Sequence, residues 1–478
     1  MHFLHIIILM KEFNFIKEVE MDRIYLEERK LVRKYSPTKS VLLNSLFILV
    51  VFYATWWIFQ DPRGLMRMYT PYVGYMWCRW LLVVMIWIAY IFDFWPFKRE
   101  WMYKTDPIKK GMIFTAITFF VFFVFLKVFF EFILGELAIS YFSPSRLTSL
   151  GLTEFYALEY SAQAILMFAA IASWLSPSWV VAAENAPWGK LNQPTRGFSV
   201  FVVTFLLSMI TYFVFFHSQM GILFDPWQQY TAITPPWWHN FADTVHGNFN
   251  IAWIMCCTVM VWVYETIWER YPFSLIKRDN LRRVCAFFGI IAMAFCFAFF
   301  FYYLQELIWG VHIRGDRRLY APDWRWLHVG EIAIFWLVPV LFMKFYCNNG
   351  VNRFSKPVNV LLRTIISMAA AIVLYYVYYK TSHFLLGTQK GFSHPQQFPM
   401  IPMIWLINVM LINYWFMDGW PGWRLAGKAE EEVATEEDDF TNKNSLKGLL
   451  VGVLLGIIIY FVVVYFAPVV GKILTVIK

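Results

Sequence analysis

Apolar residues run along this chain in blocks of about twenty, separated by short polar or charged stretches, and that block length is what a helix needs to cross a hydrocarbon core. The blocks fall at 41–59, 72–94, 112–134, 152–175, 198–216, 241–267, 285–307, 327–345, 358–379, 401–420 and 449–466. They predict an all-α fold, a polytopic membrane helix bundle of about eleven transmembrane helices. Little chain is left over for a folded unit outside the bilayer.

Compared with itself, the chain shows a recurring unit of roughly eighty residues. Each unit opens with a Pro, as in Tyr69-Thr70-Pro71, Phe142-Ser143-Pro144, Ile233-Thr234-Pro235, Tyr320-Ala321-Pro322 and, more loosely, His394-Pro395. A helix follows, then a basic turn, then a returning helix. The turns repeat as Trp95-Pro96-Phe97, Tyr271-Pro272-Phe273 and Trp420-Pro421-Gly422. Proline suits a helix start because its missing N–H would have no partner there. Repeated helix hairpins after one leading helix account for the spans. The organisation expected is a basic, amphipathic cytoplasmic leader over 1–39, with residues 11–34 a helix lying on the membrane face. An N-terminal transmembrane half over 40–231 and a C-terminal half over 232–478 follow it. Glu430–Asp439 is an acidic, solvated stretch in the last cytoplasmic loop.

Composition fits this picture: 59% of residues are hydrophobic, 21% aromatic and 15% charged, where a soluble chain needs about a quarter charged. A net charge of +9 raises nucleic acid as a partner, but the distribution of the charges argues against it. Lysine and arginine crowd the leader and the loops after the second span (Lys98, Arg99, Lys104, Lys109, Lys110) and the sixth (Arg270, Lys277, Arg278, Arg282, Arg283). Alternate loops are poor in them, which is the positive-inside pattern. It predicts an integral protein of the inner (plasma) membrane, N-terminus cytoplasmic and C-terminus outside, with the lipid bilayer as partner and no nucleic acid. The six cysteines lack CxxC spacing and read as buried free thiols. Tryptophans near the span ends form an aromatic belt.

On this topology His217, His239, His246, His312, His328, His383 and His394 all fall at one face of the membrane. After Pro235-Pro236, His239, Asp243 and His246 follow i, i+4, i+7 spacing and share one helical face. His328 and Glu331 form an i, i+3 pair, and Glu154 and Glu159 hold the corresponding place earlier in the chain. Imidazoles and carboxylates on shared helical faces are what copper, zinc or non-haem iron requires; at a membrane boundary they equally serve as hydrogen-bonding groups for headgroups and loops. Arg79, Lys127, Glu131, Lys344, Arg363, Asn408 and Asn413 interrupt the apolar runs. Lys127 and Glu131 read as a neutralising pair; the three other cations either snorkel to a headgroup region or line a polar path.

From Ile233 to Phe335 the chain resembles the C subunit of the particulate methane and ammonia monooxygenases, the copper-dependent membrane monooxygenases. The resemblance rests on a Pro-led helix, Asp279-Asn-Leu-Arg-Arg283, Tyr302-Tyr-Leu-Gln-Glu306, His312, Tyr320-Ala-Pro322 and His328-Val-Gly-Glu331. A weaker echo spans Phe142–Phe216, so that the chain looks like a duplicated relative. The resemblance implies a metal site in which His312 and His328 are neutral donors, Glu306 is the anionic donor and Glu331 orients an imidazole. His239, Asp243 and His246 would complete it or form a second one. The chain departs from the family in having Ile308 where the carboxylate is expected, in a longer gap between His312 and His328, and in its greater length. The function implied is that of a membrane subunit of a copper-dependent oxidising complex, with other membrane subunits or further copies of the chain as partners. A multi-span transporter is one alternative, and a subunit holding haem (between His246 and His328) or quinone is another.

Overall fold

The computed structural model describes residues 31–98, 100–217, 236, 247–309, 322–388 and 399–425. Ten long helices make up almost all of this: α1 (Pro37–Phe59), α2 (Val73–Ile91), α3 (Pro107–Glu136), α4 (Glu154–Val181), α5 (Thr195–Phe215), α6 (Gly247–Glu265), α7 (Asp279–Trp309), α8 (Pro322–Cys347), α9 (Lys356–Leu385) and α10 (Met400–Phe416). Among the described residues, eight helices are long and apolar enough to cross a membrane: α1 to α5 and α7 to α9. The eleventh apolar block, 449–466, lies outside the described residues.

Local signals set the helix starts. Pro37 opens α1 in its first turn, where an absent N–H costs nothing. Asp106 caps α3, its carboxylate accepting from the backbone N–H of Ile108 at 3.0 Å and Lys109 at 3.2 Å. The second part of α3 (Phe125–Glu136) and the last turns of α2 (Trp87–Ile91) and α10 (Ile412–Phe416) are wound as π-helix.

The helices form two concentric rings. The inner ring is closed: α2 packs on α4, α4 on α6, α6 on α8, α8 on α10, and α10 back on α2. Between 78% and 89% of the apolar stretch of α2, α4 and α8 is buried, against 22–28% for α1, α3, α5, α7 and α9. The peripheral helices turn faces such as Leu42, Leu46, Phe120, Phe132, Leu206 and Ile210 outward. An apolar surface of this extent suits lipid rather than water. Both sequence halves share a single core.

Each inner helix ends in the same way. Two residues with positive φ follow it: Asp93 and Phe94, Glu184 and Asn185, Glu269 and Arg270, Asn348 and Asn349, Asp418 and Gly419. A cis X–Pro bond comes next at Trp95-Pro96, Ala186-Pro187, Tyr271-Pro272 and Trp420-Pro421. The acid of one turn binds a base on the peripheral helix of the following hairpin. Glu184 meets Arg282 at 2.8 Å and Arg283 at 3.0 Å, Glu269 meets Arg363 at 2.9 Å, and Asp93 approaches Arg196 at 3.9 Å. Asp418 pairs with Lys110 on α3, which closes the circle, and both side chains are buried.

The seam between the two ends of the described chain carries one departure from the sequence reading. The helix expected over 11–34 does not extend through Leu31–Arg33, which is a β-strand (β1) paired antiparallel with Trp423–Leu425 (β2). Val32, buried between two half-buried neighbours, has the alternation of a strand. Helix α1 packs on α8 and α10 rather than on α2. Its Asn44 donates to the Gly419 carbonyl at 2.8 Å and accepts from the Gly422 N–H at 2.7 Å.

Candidate functional site

His328 and Glu331 stand one turn apart near the start of α8, both about 5% exposed, with Nδ1 of the imidazole 2.6 Å from a Glu331 carboxylate oxygen. That bond commits Nδ1 to the carboxylate and makes Nε2 the nitrogen that would meet a ligand. Tyr69, in the turn between α1 and α2, lies within the field of Glu331 and hydrogen-bonds Tyr378 of α9. Its phenol is pushed well above the usual range, mainly by burial and then by Tyr378 and Glu331. The dyad thus lies where α8, α9 and the loop before α2 meet, at the end of the bundle opposite the basic turns.

The other metal candidates are only partly visible. Glu306 lies on α7, and its side chain is outside the described residues. Its neighbour Gln305 donates to the carbonyls of Tyr302 at 3.0 Å and Arg325 at 3.1 Å, which ties the end of α7 to the first turn of α8. His239, Asp243, His246 and His312 lie outside the described residues. Among the described residues no group of three or more His, Cys, Asp or Glu side chains gathers as a metal cage. His217 instead meets the Tyr141 hydroxyl at 2.7 Å. Glu154 is exposed, whereas Glu159 is buried and accepts from the Tyr72 N–H at 3.0 Å, so it holds the start of α2.

Further along the axis a second polar group occupies the ring centre, and all five inner helices reach it. Arg79 of α2 is fully buried, its Nη2 3.0 Å from Met255 Sδ and 3.3 Å from Thr258 Oγ1, both on α6. Thr258 in turn lies 3.3 Å from the Ser173 hydroxyl of α4. The Tyr75 hydroxyl, one turn from Arg79, is 3.1 Å from Met400 Sδ of α10. Gly330 of α8 faces both thioethers: a β-carbon there would lie 3.4 Å from Met255 Cγ and 3.9 Å from Met400 Sδ. On the basic side the axis is filled by three rings from three helices, Tyr90, Trp262 and Trp415, with centroids 5.2–5.8 Å apart.

Of this central cluster, the sequence marks only Arg79, as a charge inside an apolar run. Tyr75, Met255, Met400, Thr258 and Ser173 carry no such signal. The snorkelling reading fails for Arg79 and for Arg363, which are 0% and 2% exposed. Arg363 turns inward to the carbonyls of Val351 and Ile267 and to Glu269. The cysteine expectation also fails at Cys296, which is exposed on the peripheral α7. No protein-family model matches the chain, and searches of curated proteins and of solved structures find no match either.

Proposed function

We propose that the chain is an integral protein of the inner (plasma) membrane, with its N-terminus cytoplasmic, its C-terminus outside and eleven spans built from repeated helix hairpins. Its reaction site lies at the end opposite the basic turns. There His328, through Nε2, would hold a metal together with His312 and Glu306, while Glu331 fixes the tautomer and orientation of the imidazole. Copper is the metal the resemblance implies, and zinc or iron suit the same donors. His239, Asp243 and His246 would complete this site or form a second one. When bound, the metal supplies an open coordination position for oxygen chemistry on a small, poorly polar substrate. The chain would then act as one subunit of a copper-dependent, monooxygenase-like oxidising complex. Its partners would be other membrane subunits or further copies of itself.

The observation that carries this reading is the buried 2.6 Å contact between His328 Nδ1 and Glu331. A carboxylate behind an imidazole is the usual support of a metal-binding histidine. A transporter is the second reading, in which buried intramembrane charges such as Arg79 would line a substrate or proton path.

The test is metal content per chain, by mass spectrometry, for detergent-purified protein and for a His312→Ala/His328→Ala variant. Near-stoichiometric copper, iron or zinc that the variant loses is the expected result. Metal-free protein from metal-replete membranes, still a monodisperse bundle, would overturn the metal reading and leave the transporter.

A further inference from the structure

We propose that the centre of the inner ring is an anion-binding site in which the Arg79 guanidinium holds a small, weakly hydrated monoanion of the halide or nitrate type. Arg79 is fully buried, and among the described residues it takes part in no ion pair. Its Nη2 contacts two neutral groups, Met255 Sδ and Thr258 Oγ1, and its Nε and Nη1 have no hydrogen-bond partner. Three of its five N–H bonds are therefore without an acceptor. Arginine does not relieve this by losing its proton, and an uncompensated charge away from water is among the costliest arrangements a protein can hold.

The other buried cations among the described residues are treated differently. Lys110 has Asp418 and the Met102 carbonyl. Arg363 has Glu269, two carbonyls and the Asn352 side chain. Arg79 alone of these three has no counter-charge of its own among the described residues, and it is the one that stands on the axis.

The surroundings select the ligand. Among the described residues the cluster around the guanidinium offers thioethers, hydroxyls and a phenol, with no second cation, and the Tyr75 phenol lies within the field of Glu331. One negative charge is balanced there and a second is not, which argues against phosphate or sulfate. Few donors beyond Arg79 replace a hydration shell, which favours an ion that sheds water readily. An ion would have to enter from one side. Tyr90, Trp262 and Trp415 fill the axis toward the basic turns, whereas Tyr75, Met400 and Gly330 lie toward the His328 end. The site stands independently of any metal at His328.

The experiment uses the full chain in detergent, exchanged into sodium gluconate and titrated with sodium bromide or nitrate at constant ionic strength. Thermal unfolding midpoint and bromide retained per chain after desalting are the readouts. A ligand that binds only the folded state raises the midpoint saturably. We expect such a rise, with close to one bromide per chain. Arg79→Met should abolish both effects, while being no less stable than the parent in gluconate. Arg79→Lys keeps the charge but not the Nε and Nη1 donors, and should weaken the apparent Kd at least tenfold; it serves where the Met variant does not fold. No saturable, anion-specific rise in the parent, or an undiminished response in either variant, overturns the proposal.

Discussion

Single buried charges set the character of this bundle. Lys110 and Asp418 pair where neither touches solvent, and such a pair matters less for its own attraction than for what each partner leaves behind when the other is removed. Asp418→Asn is therefore expected to lower unfolding stability by about 3–5 kcal/mol, because it takes the counter-charge from a buried lysine. Adding Lys110→Met should recover most of the loss. Denaturant unfolding of the two single variants and the double variant in detergent checks both statements. Lys127 and Glu131, 2.7 Å apart on α3, call for the same reasoning: on a peripheral span the exposed lysine faces lipid, so each neutralises a charge that would be costly alone.

At the scale of the element, the repeated turn is the most informative unit. Glu184 follows α4 with positive φ, and its carboxyl is held below the usual range, first by hydrogen bonds from Arg282, which outweigh the opposing effect of burial, and then by Arg283. A depressed carboxylate contributes stability that is complete above its unfolded pKa, about 4.3, and that fades as pH falls through the lower folded value. Acid titration should therefore loosen the contact between this turn and α7 below about pH 4. Glu184→Gln should remove that part of the acid dependence while lowering stability at neutral pH, and unfolding midpoints measured between pH 3 and 7 report it.

Much of this level could be read from residues alone. Apolar blocks announce helices because a backbone in lipid has to satisfy its own hydrogen bonds, and Trp95-Pro96, Tyr271-Pro272 and Trp420-Pro421 announce turns. Ala186-Pro187 and Asn348-Asn349 escape notice because the backbone geometry persists while the aromatic residue, or the proline, is replaced. The division into inner and peripheral helices is also hidden, since blocks that are apolar on every side give no inward face. For the candidate site, His328 and Glu331 were legible as an i, i+3 pair on one helix. The convergence of Arg79, Met255 and Met400 was not, because it depends on three helices meeting across the ring.

Among the described residues the helices form a closed circle with one irregular member. Helix α1 precedes α2 in the chain yet occupies the groove between α8 and α10. Strand β1 begins opposite the residue at which β2 ends, Leu31 facing Leu425, which is the spacing a tight hairpin loop bridges. A permuted chain in which residues 31–66 follow residue 425 through a short Asn-Gly loop should therefore build the same ring. Its elution volume and unfolding midpoint should match those of an unpermuted chain of residues 31–425. Aggregation of the permutant, with that chain monodisperse, would show that the connection between α1 and α2 is itself required.

The seam also sets a timetable for biosynthesis. Asn44 finds its partners in residues 375 and 378 positions later, and a ribosome adding about 5–20 residues per second takes on the order of twenty seconds to over a minute to deliver them. For that interval α1 carries Ser40 and Asn44, both fully buried in the finished ring, with no groove to receive them. An insertion factor that shelters a partly polar helix would act on this chain at its first span, long before the ring can close.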